Sequence, residues 1–131
     1  DRSIDIDESE KAALRDPGAE FRTPHVTKIL GGTEGPTIAA SDYMRGTQDL
    51  IRQWVPGTYV TLGTDGFGFS DTRPAARRYF NVDAESIVVA TLVGLARDGN
   101  IPFTTAAQAA EKYRITDVNA AEVSYADTGS A

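Results

Sequence analysis

Two short segments, Thr37 to Ala40 and Tyr59 to Leu62, flank a stretch of different period, and that alternation constrains the fold more than any other feature of the chain. Tyr59-Val60-Thr61-Leu62 is aromatic, β-branched and aliphatic, a composition that suits a pleated, half-buried strand. Between the two segments Met44, Thr47, Leu50, Ile51, Trp54 and Val55 recur with helical spacing, while Arg45, Gln48, Asp49 and Arg52 fall on the other face. Asp42 is the expected cap of this helix and Pro56-Gly57 its stop. Strand, helix, strand predicts a βαβ unit with parallel strands. In an open parallel sheet the loops leaving the carboxyl ends of the strands share one rim, where ligands and partners are met. Ser41-Asp42-Tyr43 and Thr64-Asp65-Gly66-Phe67-Gly68 are therefore expected to be neighbours.

Helices are expected on either side of this unit. Lys11 to Leu14 reads as a short surface helix closed by the Asp16-Pro17-Gly18 turn, and Pro24 to Leu30 as a second, with Thr23 as N-cap and Gly31-Gly32 as the stop. Arg73 to Phe80 begins at Pro74, with Asp71 ahead of it as a cap. Asp83 caps a strongly apolar helix running to Arg97 and closed by Asp98-Gly99, which has little polar surface and should be the most buried. A last helix runs from about Thr105 to Tyr113, with Thr105 and Gln108 as a capping box. The length supports one domain. Its organisation reads as an acidic N-terminal segment over 1–21, a domain over 22–118 and a flexible tail over 119–131. The chain opens on Asp1 with no initiator methionine and no targeting pattern, which suggests a processed product or the C-terminal piece of something longer.

Charge and composition narrow the function classes. Thirteen basic against nineteen acidic residues give a net charge of −6, so nucleic acid is not an expected partner. The longest unbroken apolar run, Ile87 to Ala90, is far short of the roughly 20 residues that span a bilayer, and no membrane partner is expected. The absence of cysteine excludes disulfides and is compatible with a reducing, cytoplasmic setting.

Four constellations could carry chemistry. His25 is the sole histidine, too few for an ordinary zinc site, and reads as a structural or partner-contacting residue. Gly63, Gly66 and Gly68 lie where a phosphate-cradling loop would sit, but their spacing is neither the dinucleotide fingerprint nor the P-loop; the plainer role is to supply positive φ and close approach so that Phe67 and Phe69 project. Asp42, Asp65 and Asp71 could converge as a metal or acid–base cluster, although turn and helix capping explains them more simply. Arg73, Arg77 and Arg78 form a basic patch able to receive a phosphate or a partner carboxylate, or else to pair with Asp71 and Asp83. The candidate interaction rim is Ser41, Asp42, Tyr43, Thr64, Asp65, Gly66, Phe67, Gly68, Ser70, Asp71 and Arg73, with His25, Arg77 and Arg78 as further partner or anion contacts. No complete catalytic set is present in the sequence pattern.

Ser41-Asp42-Tyr43-Met44-Arg45, the string Leu62-Gly63-Thr64-Asp65-Gly66-Phe67-Gly68-Phe69-Ser70-Asp71-Thr72-Arg73 and Arg77-Arg78-Tyr79-Phe80-Asn81-Val82-Asp83 resemble the C-terminal end of the homodimeric type of pyruvate dehydrogenase. The resemblance covers roughly residues 22 to 118, and Thr72 to Phe80 is similar to actinobacterial versions. It implies a transketolase C-terminal-like domain: α/β, three-layer α/β/α, with a mostly parallel sheet. It also implies thiamine diphosphate and Mg²⁺ in the complete enzyme, bound by other domains or chains. Neither the GDG…N magnesium motif nor the cofactor-activating glutamate maps onto any residue here. The expected role is therefore assembly and the surroundings of the active site of a 2-oxo acid dehydrogenase or a related split carboligase, in a dimeric or hetero-oligomeric assembly that an acyltransferase component with a lipoyl carrier could join. The alternative is a free-standing regulatory or small-anion-binding module that reuses the fold.

Overall fold

The computed structural model describes residues 2–121, with side chains from Ile6 onward. Its described residues divide into two compact units, one formed by 2–34 and 53–56, the other by 35–52 and 57–121. The ten residues 122–131, most of the tail expected to be flexible, lie outside the described part. Just before them, Ala121 is buried.

The first unit carries α1 (Arg2–Arg15) and α2 (His25–Leu30). α1 is much longer than the expected turn of helix around Lys11; it buries Ile6 and Ser9 and leaves Leu14 exposed. Asp16 closes the turn after it, its carboxylate accepting from the Gly18 amide at 3.1 Å. α2 is preceded by Pro24 rather than capped by Thr23, and no side-chain cap bond is made there. The Thr27 hydroxyl donates to the Trp54 carbonyl within this unit.

The second unit is the α/β part. β1 (Thr37–Ala40) and β2 (Tyr59–Leu62) pair in parallel, Ile38 opposite Val60 and Ala39 opposite Thr61. Among the described residues the sheet has these two strands. α5 (Ala84–Arg97) packs on both strands from the Ile38 side, where Gly94 brings the helix against Pro36 and Ile38: a Cβ at Gly94 would stand 2.6 Å from Pro36 Cβ. On the other side α3 (Arg45–Asp49) lies against β2, the buried Thr61 donating to the Asp49 carboxylate at 2.9 Å. Helix, sheet and helix thus form three layers. α6 (Phe103–Tyr113) packs on α5 and begins after Pro102, two residues before the expected capping box at Thr105. α4 (Arg73–Tyr79) starts at a Thr72 cap whose hydroxyl accepts from Ala75 N at 3.4 Å; Asp71 instead accepts from the Thr72 amide at 2.7 Å. The Asp83 cap of α5 is as expected, its carboxylate accepting from Ser86 N at 3.0 Å, and Gly99 takes φ +77° beyond the other end. α5 buries Ser86, Val89, Gly94 and Ala96, more than any other described helix, yet Val88 on its outer side is exposed.

The connection between the strands departs from the amphipathic reading. The expected helix breaks into α3 and a 3₁₀ turn at Arg52–Trp54, and its start is preceded by Met44, with no cap bond from Asp42. The apolar stripe is covered only at its end, where Val55 is buried and Trp54 half-buried: Met44, Leu50 and Ile51 are exposed, while Gln48 and Asp49 of the other face turn inward. A polar network accounts for this. Asp49 takes bonds from Thr61 and, at 2.7 Å, from Arg52; Arg52 also donates to the Tyr59 carbonyl at 3.0 Å; the Tyr59 hydroxyl donates to the Gln48 carbonyl at 3.0 Å. The Gln48 amide, oriented by its neighbours, donates to the carbonyls of Ala39 and Leu62 at 2.9 and 3.2 Å, tying the ends of both strands together.

The stretch Arg73–Arg97 has the length and apolarity of a membrane span, 25 residues. A turn through Phe80–Val82 divides it, so its longer helix has 14 residues and rises only about 21 Å.

A buried cation joins α4, α5 and the end of α6. Arg78 pairs with Asp83 and, at 3.4 Å, with Glu85, and donates to the carbonyls of Tyr113 and Arg114 at 2.9 and 3.1 Å. Asn81, at φ +54°, adds a second strap through bonds to Arg78 O, Ser86 Oγ and Ile115 O at 3.1, 3.2 and 3.1 Å.

Candidate functional site

The two loops at the carboxyl ends of β1 and β2 are neighbours, as the parallel pairing requires. Thr64 N donates to the Tyr43 carbonyl at 3.0 Å and the Thr64 hydroxyl to the Asp42 carbonyl at 2.7 Å. Asp65 reaches back across the rim, accepting from Arg45 N at 2.8 Å and pairing with the Arg45 guanidinium. The side-chain hydrogen bond from the guanidinium, with the attending charge, holds the Asp65 carboxyl below its ordinary value and raises the Arg45 guanidinium; the backbone bond from Arg45 lowers Asp65 further. The close approach depends on Gly63, where a Cβ would stand 2.4 Å from the Tyr43 carbonyl oxygen. Nothing in the sequence alone marked the Arg45–Asp65 clamp, because Arg45 opens α3 while Asp65 lies 20 positions on, in the loop after β2.

Beyond the clamp the chain swings outward. Gly66 takes φ +100° and Phe67, next to it, is 98% exposed. Phe69 does not project; it stacks on Tyr79 with ring centroids 4.3 Å apart, and Tyr79 meets Phe80 edge-on at 5.0 Å. Tyr43, Met44 and Leu50 are exposed like Phe67, so the rim and the outer side of α3 present several large apolar groups. Ser41 supports the loop from within, its hydroxyl accepting from the Tyr43 amide at 3.2 Å. Gly68, Ser70 and Asp71 continue the exposed loop into α4.

The three aspartates do not converge. Asp65 is held by Arg45, Asp71 caps the Thr72 amide, and Asp42 faces Arg77 at 3.5 Å. Among the described residues no group of three histidine, aspartate or glutamate side chains is placed to hold a metal. Each of these rim carboxylates is thus engaged by a neighbour within the described residues.

The arginine patch divides. Arg73 and Arg77 share one side of α4 and line a recess of about 190 Å³ with Asp42, Thr64, Ala76, Phe80 and Val82. Arg78 is a correction to the expected patch: its side chain is 1% exposed and its donors are spent on the α5 and α6 bonds above, so no external anion reaches it. A second recess of about 350 Å³ lies by the clamp, bordered by Arg45, Gly63, Asp65 and the Tyr79–Phe80 pair. His25 belongs to the other unit, half-buried at the start of α2 beside a cleft of about 500 Å³ that Ile6, Phe21 and Lys28 also line.

Residues 11–83 match the family model of the transketolase-like C-terminal domain. The chain belongs to that family. The transketolase-like match runs through both strands and the whole clamp. Longer relatives share the sequence: the pyruvate dehydrogenase E1 component of Mycolicibacterium smegmatis is 70% identical over 122 residues, which are 93% of this chain and 13% of the relative. The protein of the same description from Mycobacterium tuberculosis is 58% identical over the same shares, and that of Escherichia coli 40% identical over 72% of this chain and 10% of its own length. This transketolase-like chain therefore spans about an eighth or less of the length of the curated relatives it matches.

Proposed function

We propose that this chain is the C-terminal domain, or a separately encoded small subunit, of a thiamine diphosphate-dependent enzyme acting on a 2-oxo acid such as pyruvate. Thiamine diphosphate and Mg²⁺ are held by other domains or chains, and the transketolase-like domain contributes assembly and the surroundings of the active site. The observation that carries this reading is the uncovered rim. Tyr43, Met44 and Phe67 on loops joined by the Arg45–Asp65 clamp, and Leu50 at the end of α3, are each more than half exposed, in a chain that is 13% or less of the length of its relatives. Rigid loops presenting aromatic and aliphatic side chains suit docking against the remaining part of a longer protein.

The rim residues Ser41, Asp42, Tyr43, Thr64, Asp65, Gly66, Phe67, Gly68, Ser70, Asp71 and Arg73 face that partner in this proposal, and His25 contacts it from the other unit. The complete assembly is dimeric or hetero-oligomeric and cytoplasmic, and passes its acyl group to a lipoyl-bearing acyltransferase or to a carboligation acceptor. Recovery of this polypeptide from its native extract, with intact-mass analysis and a thiamine diphosphate assay, tests it. Association with the cofactor, in one long chain or with separate chains, supports the proposal. A chain that comes down alone and cofactor-free overturns it.

A further inference from the structure

The recess on α4 has the makings of a binding site of its own. Arg73 and Arg77 stand four residues apart on one side of α4, and both line it. Among the described residues the Arg73 side chain makes no hydrogen bond or ion pair, while that of Arg77 has only the loose contact to Asp42 at 3.5 Å, longer than a well-formed charge-assisted bond. The floor is apolar, made by Ala76, Phe80 and Val82. Two cations against one carboxylate leave a net charge of about +1, and the volume of about 190 Å³ is below that of ordinary drug-sized pockets.

We propose that this recess binds a small free monocarboxylate with a short aliphatic body. The two guanidinium groups donate to the carboxylate oxygens, and the aliphatic part rests on Ala76, Phe80 and Val82. Asp42 does two things here. It holds Arg77 over the recess when the site is empty, and it repels a second negative charge, so that a monoanion is accepted and a dianion such as phosphate is disfavoured. Asp42, Thr64 and Arg73 are shared with the rim, but none of its exposed apolar side chains, Tyr43, Met44 or Phe67, lines the recess, and the proposal concerns the 131-residue chain, in which the recess is open.

Titration of the 131-residue chain with butyrate, followed through the arginine Nε–Hε signals by nuclear magnetic resonance, tests it. Saturable shifts confined to Arg73 and Arg77 are expected, with a Kd on the order of millimolar, as suits so small a ligand. Arg77→Gln should weaken binding about tenfold. Asp42→Asn should tighten butyrate about threefold and admit inorganic phosphate, which the unmodified chain binds more weakly than butyrate. Shifts that do not saturate, that appear equally at the clamp and network residues Arg45 and Arg52, or that follow phosphate as strongly as butyrate would overturn the site. So would an Arg77→Gln chain that binds as before. All these variants lie at the surface and leave the Arg78 hub intact, so a loss of shifts is readable as loss of the site.

Discussion

Replacing Arg78 with alanine is expected to remove a large part of the stability of the α/β unit, and the size of the loss follows from what the guanidinium holds. Its side chain is 1% exposed, its partner Asp83 3%, and two backbone carbonyls, those of Tyr113 and Arg114, accept from the same group at 2.9 and 3.1 Å. Truncation leaves a buried carboxylate without its cation and strips a donor from both carbonyls at the end of α6. Removing one member of a buried pair costs about 3–5 kcal/mol. A domain of this size has about 5–15 kcal/mol in all. Urea unfolding followed by far-ultraviolet circular dichroism reads the change: with a slope of about 1–3 kcal/mol per molar, the midpoint should fall by roughly 2 M. Arg77→Ala is the control one residue away. Its side chain is 33% exposed and its ion pair loose, so it should change stability by no more than about 1 kcal/mol. If the two variants unfold at the same urea concentration, burial and shared acceptors do not set the importance of Arg78, and the reasoning fails.

Gly94→Ala should destabilise by about 1–3 kcal/mol despite the better helix propensity of alanine, because the new Cβ would meet Pro36 at 2.6 Å; a urea midpoint at or above that of the parent would contradict the close helix–sheet contact. Gly63→Ala should part the rim loops, and hydrogen exchange at the Thr64 amide, now 3.0 Å from the Tyr43 carbonyl, should speed up at least about tenfold; unchanged protection would mean the loops are held elsewhere. Burial pushes the Asp83 carboxyl up, but its hydrogen bonds from Ser86 and Arg78 outweigh this and leave it below the ordinary 3.8. A carboxyl depressed on folding contributes stability that is present above its unfolded value and lost as the pH falls through the folded one. The parent should therefore lose urea resistance between about pH 5 and about pH 3 more steeply than Asp83→Asn, and parallel losses would refute the assignment.

The strands were legible because their residue types and the Pro-Gly stop at 56–57 mark them locally, and their bounds are those expected. Parallel pairing then brought the 41–43 and 64–68 loops together by geometry alone. The stretch between them was not legible in the same way. Periodicity says which of Met44, Leu50 and Ile51 share a side, but not which side is covered. Here Asp49 and Arg52 of the polar side are held to the sheet through Thr61 and Tyr59, while Met44, Leu50 and Ile51 are left uncovered in a chain much shorter than its relatives. Arg78 shows the same limit at a single residue. It follows Arg77 directly, about 100° further round the helix. Its burial depends on acceptors at Tyr113 and Arg114, 35 and 36 positions along the chain, which no local pattern announces. The asparagine strap at Asn81 depends on the same distant segment through Ile115.

The central claim is that the rim and the outer side of α3 are covered in the complete protein. Hydroxyl-radical footprinting of Met44, Leu50 and Phe67 measures this directly, comparing the 131-residue chain alone with the native assembly recovered from its source. Strong labelling of all three in the isolated chain and protection in the assembly is the predicted result. Equal labelling in both states would contradict it.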